Sequence, residues 1–483
     1  MKLDTATCAE ARRTHDARFD GRFFIAVLSS GVYCRPICPS RTAKDANVRY
    51  FASAAAAARA GFRPCLRCRP EGAPGVSPWM ETSPAVSRAL RLISESPLAD
   101  DGTHAFADRL GIAPGQLRGL FLEHIGASPG EVAQNRRLFF GKRLLDETAL
   151  SIEQVALVAG FGTPRRLHNA IRKTYKRTPE HIRSLVRQPP VEPESEYRFR
   201  LSFRRPFDWS GILAFLAPRA IPGVECVEAD GYRRTISRGR SHGWIEAAME
   251  KTESALTIRV FFPEPGGLYE IVERARRMFD LDADPLEAMQ HLSGDPLLAN
   301  VSPGLRVPGG WDGFELAVRA ILGQQVTVKG ASTLAGRLVS EFGTAVAARG
   351  GLTHLFPGPE ILAEADIARI GLPIARAETI RGVATAVCDG RISFAGGVDI
   401  ADFVGRFRAL PGIGDWTAQY VAMRALGYPD AFPCGDLGLL HATGFGHARE
   451  LEARSQAWRP WRAYAAMHFW QTPQRTGAPT LGD

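Results

Sequence analysis

Four cysteines near the start of the chain have the spacing of metal ligands. Cys34 and Cys38 are four residues apart in YCRPICPSR, and Cys65 and Cys68 are three apart in RPCLRCRP. Two such pairs in a chain without an apolar signal segment predict one tetrahedral four-cysteine Zn²⁺ site. Free thiols or a redox pair are the alternatives, but the other four cysteines of the chain are scattered singly.

A second group of residues suited to chemistry lies in the last quarter of the chain. The segment LPGIGDWTAQY places Gly412 and Gly414 in a short turn, where backbone N–H groups can approach a phosphate without side-chain obstruction. Asp436 follows Trp416 by twenty residues. The turn alone is also compatible with an ordinary corner between two helices. The turn together with the spaced carboxylate favours a functional site.

Basic residues are concentrated in the first two-fifths of the chain. The sequence of 483 residues carries a formal net charge of +9. Residues 1–190 hold 29 Lys+Arg against 17 Asp+Glu, whereas residues 191–483 hold 31 against 34. This distribution predicts a nucleic-acid contact in the first part. We expect no membrane partner, because no apolar stretch is long enough to span a bilayer and the first ten residues lack a signal core.

Segments rich in Pro and Gly at 70–78, 188–196 and 302–310 divide the chain into four expected domains, with bounds 1–75, 83–187, 196–295 and 296–475. Short strand-like runs lie in the first domain at Phe23–Leu28 and Asn47–Phe51, and alternating apolar residues predict strands in the third domain at Tyr197–Phe203 and Leu256–Phe262. Helical periodicity predicts helices at Trp209–Leu216 and Leu268–Phe279. Residues 311–471 are expected to be mostly helical, with helix ends at Gly343, Gly371 and Gly412.

The second domain repeats one helical plan. Residues 103–138 and 151–183 each contain an apolar-faced helix, a glycine-containing turn and a second helix with basic positions, which is helix-turn-helix spacing. The segment GFGTPRRLHNAIRKTYKRTPEHIR resembles the all-α AraC-type DNA-binding domain. The resemblance implies a second recognition helix that begins near Thr163. The residues expected to face the major groove are Gln116, Arg118, Arg165, Arg166 and Asn169. A helical bundle with a solvated basic face is the alternative.

The cysteine pairs lie within a longer resemblance. DGRFFIAVLSSGVYCRPICPSR and FASAAAAARAGFRPCLRCRPE resemble the N-terminal sensor of Ada-type adaptive-response proteins, a small zinc-bound α/β domain. The resemblance implies that the four cysteines bind Zn²⁺ and that Cys34 irreversibly accepts a methyl group from a methyl phosphotriester in DNA. Four thiolates on Zn²⁺ carry a formal charge of −2, which repels phosphate, and methylation changes it to −1. Five flanking arginines suit contacts with phosphates: Arg35, Arg41, Arg63, Arg67 and Arg69.

Residues from about 196 to 471 resemble the AlkA-type 3-methyladenine DNA glycosylases II, through PFDWSGILAFLAPRAIPGVE, FELAVRAILGQQVTV, LPGIGDWTAQY and WRPWRAYAAMHFW. The resemblance implies a TBP-like α+β subdomain followed by an all-α helix-hairpin-helix core. It implies that Asp436 is the catalytic carboxylate, that Gly412 and Gly414 contact phosphate, and that Gln325 stands at the position of AlkA's apolar wedge. The base pocket would contain Trp416, Tyr420 and Trp470, although these aromatics could also be core residues. A monovalent cation would bind the carbonyls of Arg408, Leu410 and Ile413.

Together these resemblances predict a multidomain α+β protein of DNA alkylation repair. It would excise N-alkylated purines such as 3-methyladenine and activate repair genes, with double-stranded DNA and RNA polymerase as partners on the nucleoid of the bacterial cytoplasm. Trp416 stands where strand-cutting relatives carry a lysine, which predicts hydrolysis without a Schiff base. The iron–sulfur cysteines of some relatives and the Pro-Cys-His-Arg site of Ada proteins are absent from the sequence. The alternatives are a regulator whose C-terminal half binds damaged DNA without catalysis, and a zinc redox sensor.

Overall fold

The computed structural model describes residues 4–75, 83–95, 102–186, 195–250 and 255–471. Parts of the expected linkers at 70–78 and 188–196 lie outside these ranges. Within the ranges, no helix is both long enough and apolar enough to cross a membrane. The described elements form a mixed α+β architecture, which we divide into a cysteine domain (4–75), a helical region (83–186) and a C-terminal half (195–471).

A small sheet builds the cysteine domain. Its elements in chain order are α1 (Thr5–Arg13), β1 (Phe24–Val27), β2 (Val32–Cys34), β3 (Val48–Phe51), α2 (Ala54–Arg59) and β4 (Arg63–Pro64). The strands are ordered β3–β1–β2–β4, and β2 runs parallel to β4 with Tyr33 opposite Pro64. Because one cysteine pair begins at the end of β2 and the other directly follows β4, the parallel pairing brings both pairs to one edge.

Seven helices form the helical region: α3 (Pro84–Glu95), α4 (Gly102–Leu110), α5 (Pro114–His124), α6 (Pro129–Glu147), α7 (Ile152–Val158), α8 (Pro164–Tyr175) and α9 (Pro179–Ser184). Several of their starts are set by hydroxyl side chains that accept backbone N–H groups. Ser128 and Ser151 each form a reciprocal capping box, with Glu131 and Gln154 respectively. Thr163 caps α8, so this helix begins at the residue after the one that the sequence indicates.

The C-terminal half opens with an antiparallel sheet of five strands in the order β5–β9–β8–β7–β6. The elements are β5 (Glu196–Ser202), α10 (Trp209–Leu216), β6 (Glu225–Val227), β7 (Gly231–Arg238), β8 (Ser241–Met249), β9 (Ala255–Phe261), α11 (Leu268–Met278) and α12 (Pro285–Leu292). The strands and helices expected here from the sequence are present within one residue of their predicted bounds.

The remaining elements are mostly helical: α13 (Gly313–Leu322), α14 (Val328–Phe342), β10 (Thr344–Arg349), β11 (Leu352–Leu355), α15 (Pro359–Glu364), α16 (Ile374–Cys388), α17 (Ile400–Arg408), α18 (Asp415–Arg424), α19 (Leu437–Thr443), α20 (Ala448–Ser455) and α21 (Arg462–Gln471). The β10–β11 hairpin departs from the helical expectation. Gly350 and Gly351 form its turn with positive φ, and the backbone N–H of Thr353 donates to the carbonyl of Gly223 over 2.7 Å. Tertiary contacts thus override the helical tendency of the alanine-rich strand.

The cysteine domain packs directly on the C-terminal half through a buried arginine. Arg204 follows β5 and is only 1% exposed. Its guanidinium donates to four carbonyls: those of Asp20 (3.0 Å), Gly75 (2.6 Å), Asp282 (2.6 Å) and Ala283 (3.4 Å). The backbone N–H of Gly75 donates to the Asp282 carboxylate over 2.8 Å, and Arg22 pairs with Asp284 over 3.1 Å. The two parts therefore share a buried polar interface, which hydrogen bonds and one ion pair hold together.

Helix α3 makes a second contact with the C-terminal half. Arg88 and Arg91 donate to the carbonyls of Gly397 (2.9 Å) and Val398 (2.8 Å). A Cβ atom at Gly396 or Gly397 would come within 3.0 Å of α3 atoms, so these glycines allow the close approach. One apolar core also runs from α6–α9 through the five-stranded sheet to α21.

Candidate functional site

The four sequence-predicted cysteines form one cluster. Their sulfur atoms all lie within 4.8 Å of one another, which suits a single tetrahedral Zn²⁺. Cys38 and Cys68 are buried, whereas Cys34 and Cys65 are partly exposed. The backbone N–H of Arg35 donates to the sulfur of Cys68 over 3.3 Å, a hydrogen bond that stabilises a thiolate.

Two of the five flanking arginines serve the fold, contrary to the expectation that all five suit phosphate. The Arg35 guanidinium is buried in an ion pair with Asp20 and also donates to the carbonyl of Cys68 over 3.2 Å. Arg69 pairs with Asp146 on α6 and so ties the last cysteine loop to the helical region. Carboxylates of the protein pair with both cations, although the side chain of Arg69 remains 42% exposed. Arg41 and Arg67 are exposed.

Asp436 lies between two tryptophans from separate helices. It caps α19 by accepting the backbone N–H of Leu439 over 3.0 Å. The indole N–H of Trp416, on α18, donates to Oδ2 over 2.9 Å, and that of Trp470, on α21, donates to Oδ1 over 3.0 Å. Each carboxylate oxygen thus has a fixed donor, which sets the orientation of the group.

Aromatic rings surround this carboxylate. The ring of Tyr420, one helical turn after Trp416, stacks on the Trp416 indole with ring centroids 5.2 Å apart and an interplanar angle of 13°. Trp470 lies 6.0 Å from Tyr420 at 60°. Phe215, at the end of α10, stacks on Trp470 at 6.4 Å. The structure therefore brings together Asp436 and the three aromatics expected at the pocket. Sequence reasoning missed Phe215, although it lies in the segment PFDWSGILAFLAPRAIPGVE.

Two arginines contact the aromatic residues of the pocket from the side of the protein interior. Arg424 is 3% exposed and donates to the Tyr420 hydroxyl over 2.6 Å. The guanidinium of Arg219 lies 3.9 Å from the ring centroid of Phe215. Burial by itself raises the pKa of Tyr420, but the charges of Arg424 and Arg219 outweigh it, so the pKa is lowered. Tyr420 and Arg424 are four residues apart on α18, so helical periodicity could have indicated this pairing.

The glycine hairpin joins α17 and α18 at the surface. Gly412 has a φ of +82°, and a Cβ atom there would clash with Thr379, so this position requires glycine. Gly414 caps α18, and a Cβ atom there would meet open space. Gln324 donates to the Gly412 carbonyl over 3.1 Å and to Thr417 over 3.0 Å, which fastens the α13–α14 turn to the hairpin. Gln325 is exposed in that turn with a φ of +56°.

The residues expected to read DNA are exposed on two other helices. Arg165, Arg166 and Asn169 lie on α8, and Gln116 and Arg118 lie on α5. They are separate in the fold from Asp436, which lies with α18, α19 and α21. The chain thus carries a cysteine cluster, a pair of basic helices and an aromatic pocket on distinct elements.

Three family models match the chain in this order. The metal binding domain of Ada matches residues 7–71, a helix-turn-helix domain matches 106–184, and the AlkA N-terminal domain matches 198–312. These matches confirm the expected resemblances and the multidomain α+β fold.

Known proteins match either nearly the whole chain or a little more than half of it. A probable bifunctional transcriptional activator/DNA repair enzyme AlkA from Mycobacterium tuberculosis is 40% identical over 98% of this chain and 97% of its own length. DNA-3-methyladenine glycosylase 2 of Escherichia coli is 32% identical over 57% of this chain and 97% of its own. A solved 3-methyladenine DNA-glycosylase from Archaeoglobus fulgidus is matched over 56% of this chain and 97% of that chain, with 21% identity and a TM-score of 0.49. The chain therefore belongs to the family of bifunctional transcriptional activator/DNA repair enzymes AlkA.

Proposed function

We propose that this chain excises N-alkylated purines such as 3-methyladenine from double-stranded DNA by hydrolysing the N-glycosidic bond. The observation that carries the proposal is the Asp436 carboxylate, held by the two indole N–H groups of Trp416 and Trp470 beside stacked aromatic rings. The names of the relatives from Mycobacterium tuberculosis and Escherichia coli support the same reaction.

The pocket suits a cationic base that has left the helix. A base must be flipped out of the duplex to reach such a site. N-alkylated purines are positively charged and stack on aromatic faces, which contributes about 0.5–2 kcal/mol per contact. Alkylation also makes the base a good leaving group, so the C1′–N bond breaks toward an oxocarbenium-like sugar. Asp436 stabilises that developing positive charge and orients the attacking water.

The pocket favours hydrolysis over strand cleavage. Trp416 occupies the position at which strand-cutting relatives have a lysine, and an indole cannot form a Schiff base with the sugar. The described side chains of the pocket are Asp436, Trp416, Tyr420, Trp470 and Phe215, and they include no amine. The product is therefore an abasic site in an intact strand.

The surface around the pocket supplies the DNA contacts. The amides of the hairpin at Gly412 and Gly414 face a phosphate, and Gln325 fills the gap left by the flipped base. A monovalent cation would bind the carbonyls of Arg408, Leu410 and Ile413, of which that of Leu410 also accepts the Ile413 N–H over 3.1 Å. Hairpin amides and a cation allow this half to hold DNA without a large excess of basic residues.

The cysteine domain senses a second lesion. Cys34, Cys38, Cys65 and Cys68 would hold Zn²⁺, and the bound ion would keep their thiols ionised at neutral pH. The sulfur of Cys34 attacks the methyl carbon of a phosphotriester, so a C–S bond forms while the C–O bond breaks and leaves a phosphodiester anion. The removal of one negative charge at the site strengthens its binding to DNA. The transfer is irreversible, so each chain reacts once.

The helical region binds promoter DNA. Arg165, Arg166 and Asn169 on α8 contact promoter bases and phosphates, and Gln116 and Arg118 on α5 contact the adjacent site. Methylation of Cys34 then favours promoter binding and activation of repair genes, with RNA polymerase recruited at the promoter. This arrangement would make one chain both the detector and a repair enzyme.

A base-release assay on alkylated DNA tests the proposal. Wild type should release methylated purines, and Asp436→Asn should release them roughly 100-fold more slowly, as expected when an electrostatic stabiliser is removed. Asparagine also caps helices, so the fold should be retained. Asp389→Asn, which alters an exposed carboxylate of the same half, should match wild type.

The same assay separates the alternatives. A chain that binds alkylated DNA but releases no base, in wild type and variant alike, would be a DNA-binding regulator without catalysis. Disulfides among the four clustered cysteines without methyl uptake would instead identify a redox sensor.

A further inference from the structure

Arg424, at the end of α18, is held rigidly beneath the base pocket. Its Nε donates to the carbonyl of Pro308 over 2.8 Å, and Nη2 lies 3.5 Å from the carbonyl of Gly309. Nη1 donates to the Tyr420 hydroxyl over 2.6 Å. The backbone carbonyl of Arg424 accepts the N–H of Gly310 over 2.9 Å, which fixes the same segment a second time. The guanidinium is therefore pinned to the backbone on one side and to a pocket residue on the other.

The same guanidinium contacts both walls of the pocket. Its central carbon lies 5.5 Å from the ring centroid of Tyr420 and 4.9 Å from that of Phe215. Tyr420 stacks on Trp416, and Phe215 stacks on Trp470. Each tryptophan donates to one oxygen of Asp436. Arg424 therefore contacts the two rings on which these tryptophans stack, and so supports both of the hydrogen bonds that orient the carboxylate.

We infer that Arg424 is a positioning residue of the glycosylase pocket, which acts on the carboxylate of Asp436 through Tyr420 and Phe215. The inference rests on the proposed function. Among the described residues no carboxylate forms an ion pair with Arg424, so its charge acts on the two backbone carbonyls, the tyrosine hydroxyl and the two rings. A neutral apolar side chain could fill the volume of the guanidinium, but it could not fix the positions of the Tyr420 and Phe215 rings.

Variants of Arg424 should change the chemical step more than substrate binding. In Arg424→Met, the rings can still stack on a flipped base. The guanidinium that fixes Tyr420 and Phe215 is lost, so the two indole N–H donors are no longer held in position. We expect kcat for base release to fall about 10-fold to 100-fold, as misplaced catalytic groups do, with KM changed less than about threefold. Arg424→Lys can restore the hydrogen bond to Tyr420 but not the carbonyl contacts, so its kcat should lie between those of wild type and Arg424→Met.

Tyr420→Phe is a second test variant, and it retains the aromatic ring and therefore the packing of the pocket. It removes only the hydroxyl to which Arg424 donates, so kcat should fall. The double variant with Arg424→Met should be impaired by less than the product of the two single effects, because both act through the same hydrogen bond. The alkaline titration of tyrosine absorbance supplies a spectroscopic signature: the tyrosine with the lowered pKa should disappear in Tyr420→Phe, and its pKa should rise in Arg424→Met.

The controls separate this inference from the proposed function. Arg381→Met, at an exposed arginine of α16, should match wild type in base release. Thermal unfolding reports whether each variant is folded. If wild type releases no base, the proposed function fails. If wild type is active, then a wild-type kcat in folded Arg424→Met, a wild-type kcat in Tyr420→Phe, or fully multiplicative effects in the double variant would overturn the role of Arg424.

Discussion

The guanidinium of Arg204, in the C-terminal half, donates its Nε hydrogen to the backbone carbonyl of Asp20, in the cysteine domain, over 3.0 Å. The Asp20 carboxylate binds Arg35, whose backbone N–H donates to the sulfur of Cys68. Arg204 also accepts, at its own carbonyl, a hydrogen bond of 2.7 Å from Arg306. The cysteine cluster and the glycosylase half are thus joined by one buried network of hydrogen bonds.

Arg204→Met should uncouple the cysteine domain from the C-terminal half. The substitution removes the donor that buried carbonyls of both parts share, which costs on the order of 3 kcal/mol. We expect calorimetry of the full chain to show a separate, lower transition for the cysteine domain. Arg205→Met, at the exposed neighbour, is the matched control and should unfold as wild type does. An unchanged unfolding profile in Arg204→Met would contradict the role of this network.

Removal of zinc should destabilise the cysteine domain. A chelator takes away the ion that four thiols within 4.8 Å would share, and the small sheet buries too little apolar surface to replace it. We expect added chelator to lower the unfolding temperature of this domain and added Zn²⁺ to restore it. A profile that is insensitive to chelator would exclude a structural metal site.

Cys34 should be the residue that gains the methyl group. After incubation with methylated duplex DNA, mass spectrometry of peptides should show one added methyl on Cys34 in wild type and none in Cys34→Ala. Cys388→Ala removes an exposed thiol outside the cluster and should leave the methylation unchanged. A methyl group on Cys38, Cys65 or Cys68 instead would reassign the acceptor.

Removal of the basic residues on α8 should weaken promoter binding but spare base release. Arg165→Ala and Arg166→Ala take exposed cations away from the recognition helix. Each phosphate that an arginine no longer binds should make the dependence of log affinity on log salt shallower by about 1. Arg13→Ala, at an exposed arginine of α1, serves as the control. If base release fell in parallel with promoter binding, the two DNA-binding surfaces would not be independent.

Gln325→Leu should tighten binding to DNA that contains an abasic site. Leucine buries more apolar surface than glutamine against the bases that flank the gap, and a gain of about 1 kcal/mol corresponds to roughly fivefold in affinity. The positive φ at this position affects both residues alike, so backbone strain should not obscure the comparison. Gln325→Ala should bind more weakly than wild type. Equal affinities for all three would show that this side chain does not enter the DNA.

The sequence by itself determined the features that depend on local spacing. The two short cysteine pairs predict a metal cluster because each pair spans a single turn. Thr163 marks the start of α8 because its hydroxyl reaches a backbone donor only three residues away. The hairpin glycine at 412 could also be identified, since a tight turn with positive φ requires it. The resemblance to AlkA-type enzymes supplied the roles of Asp436 and its aromatics.

Only the tertiary structure decided which groups meet across long separations in sequence. Arg204 and Asp20 are 184 residues apart, and Trp470 reaches Asp436 across 34. The choice between an arginine that faces phosphate and one that pairs internally, as Arg35 does with Asp20, depends on burial, which local pattern does not encode. The alanine-rich strand β10 likewise pairs in a hairpin because β7 and Gly223 hold its partner strand. Packing therefore determined the contacts of Arg424 with Phe215 and Pro308 and the interface at Arg204, for which the sequence had no periodic signal.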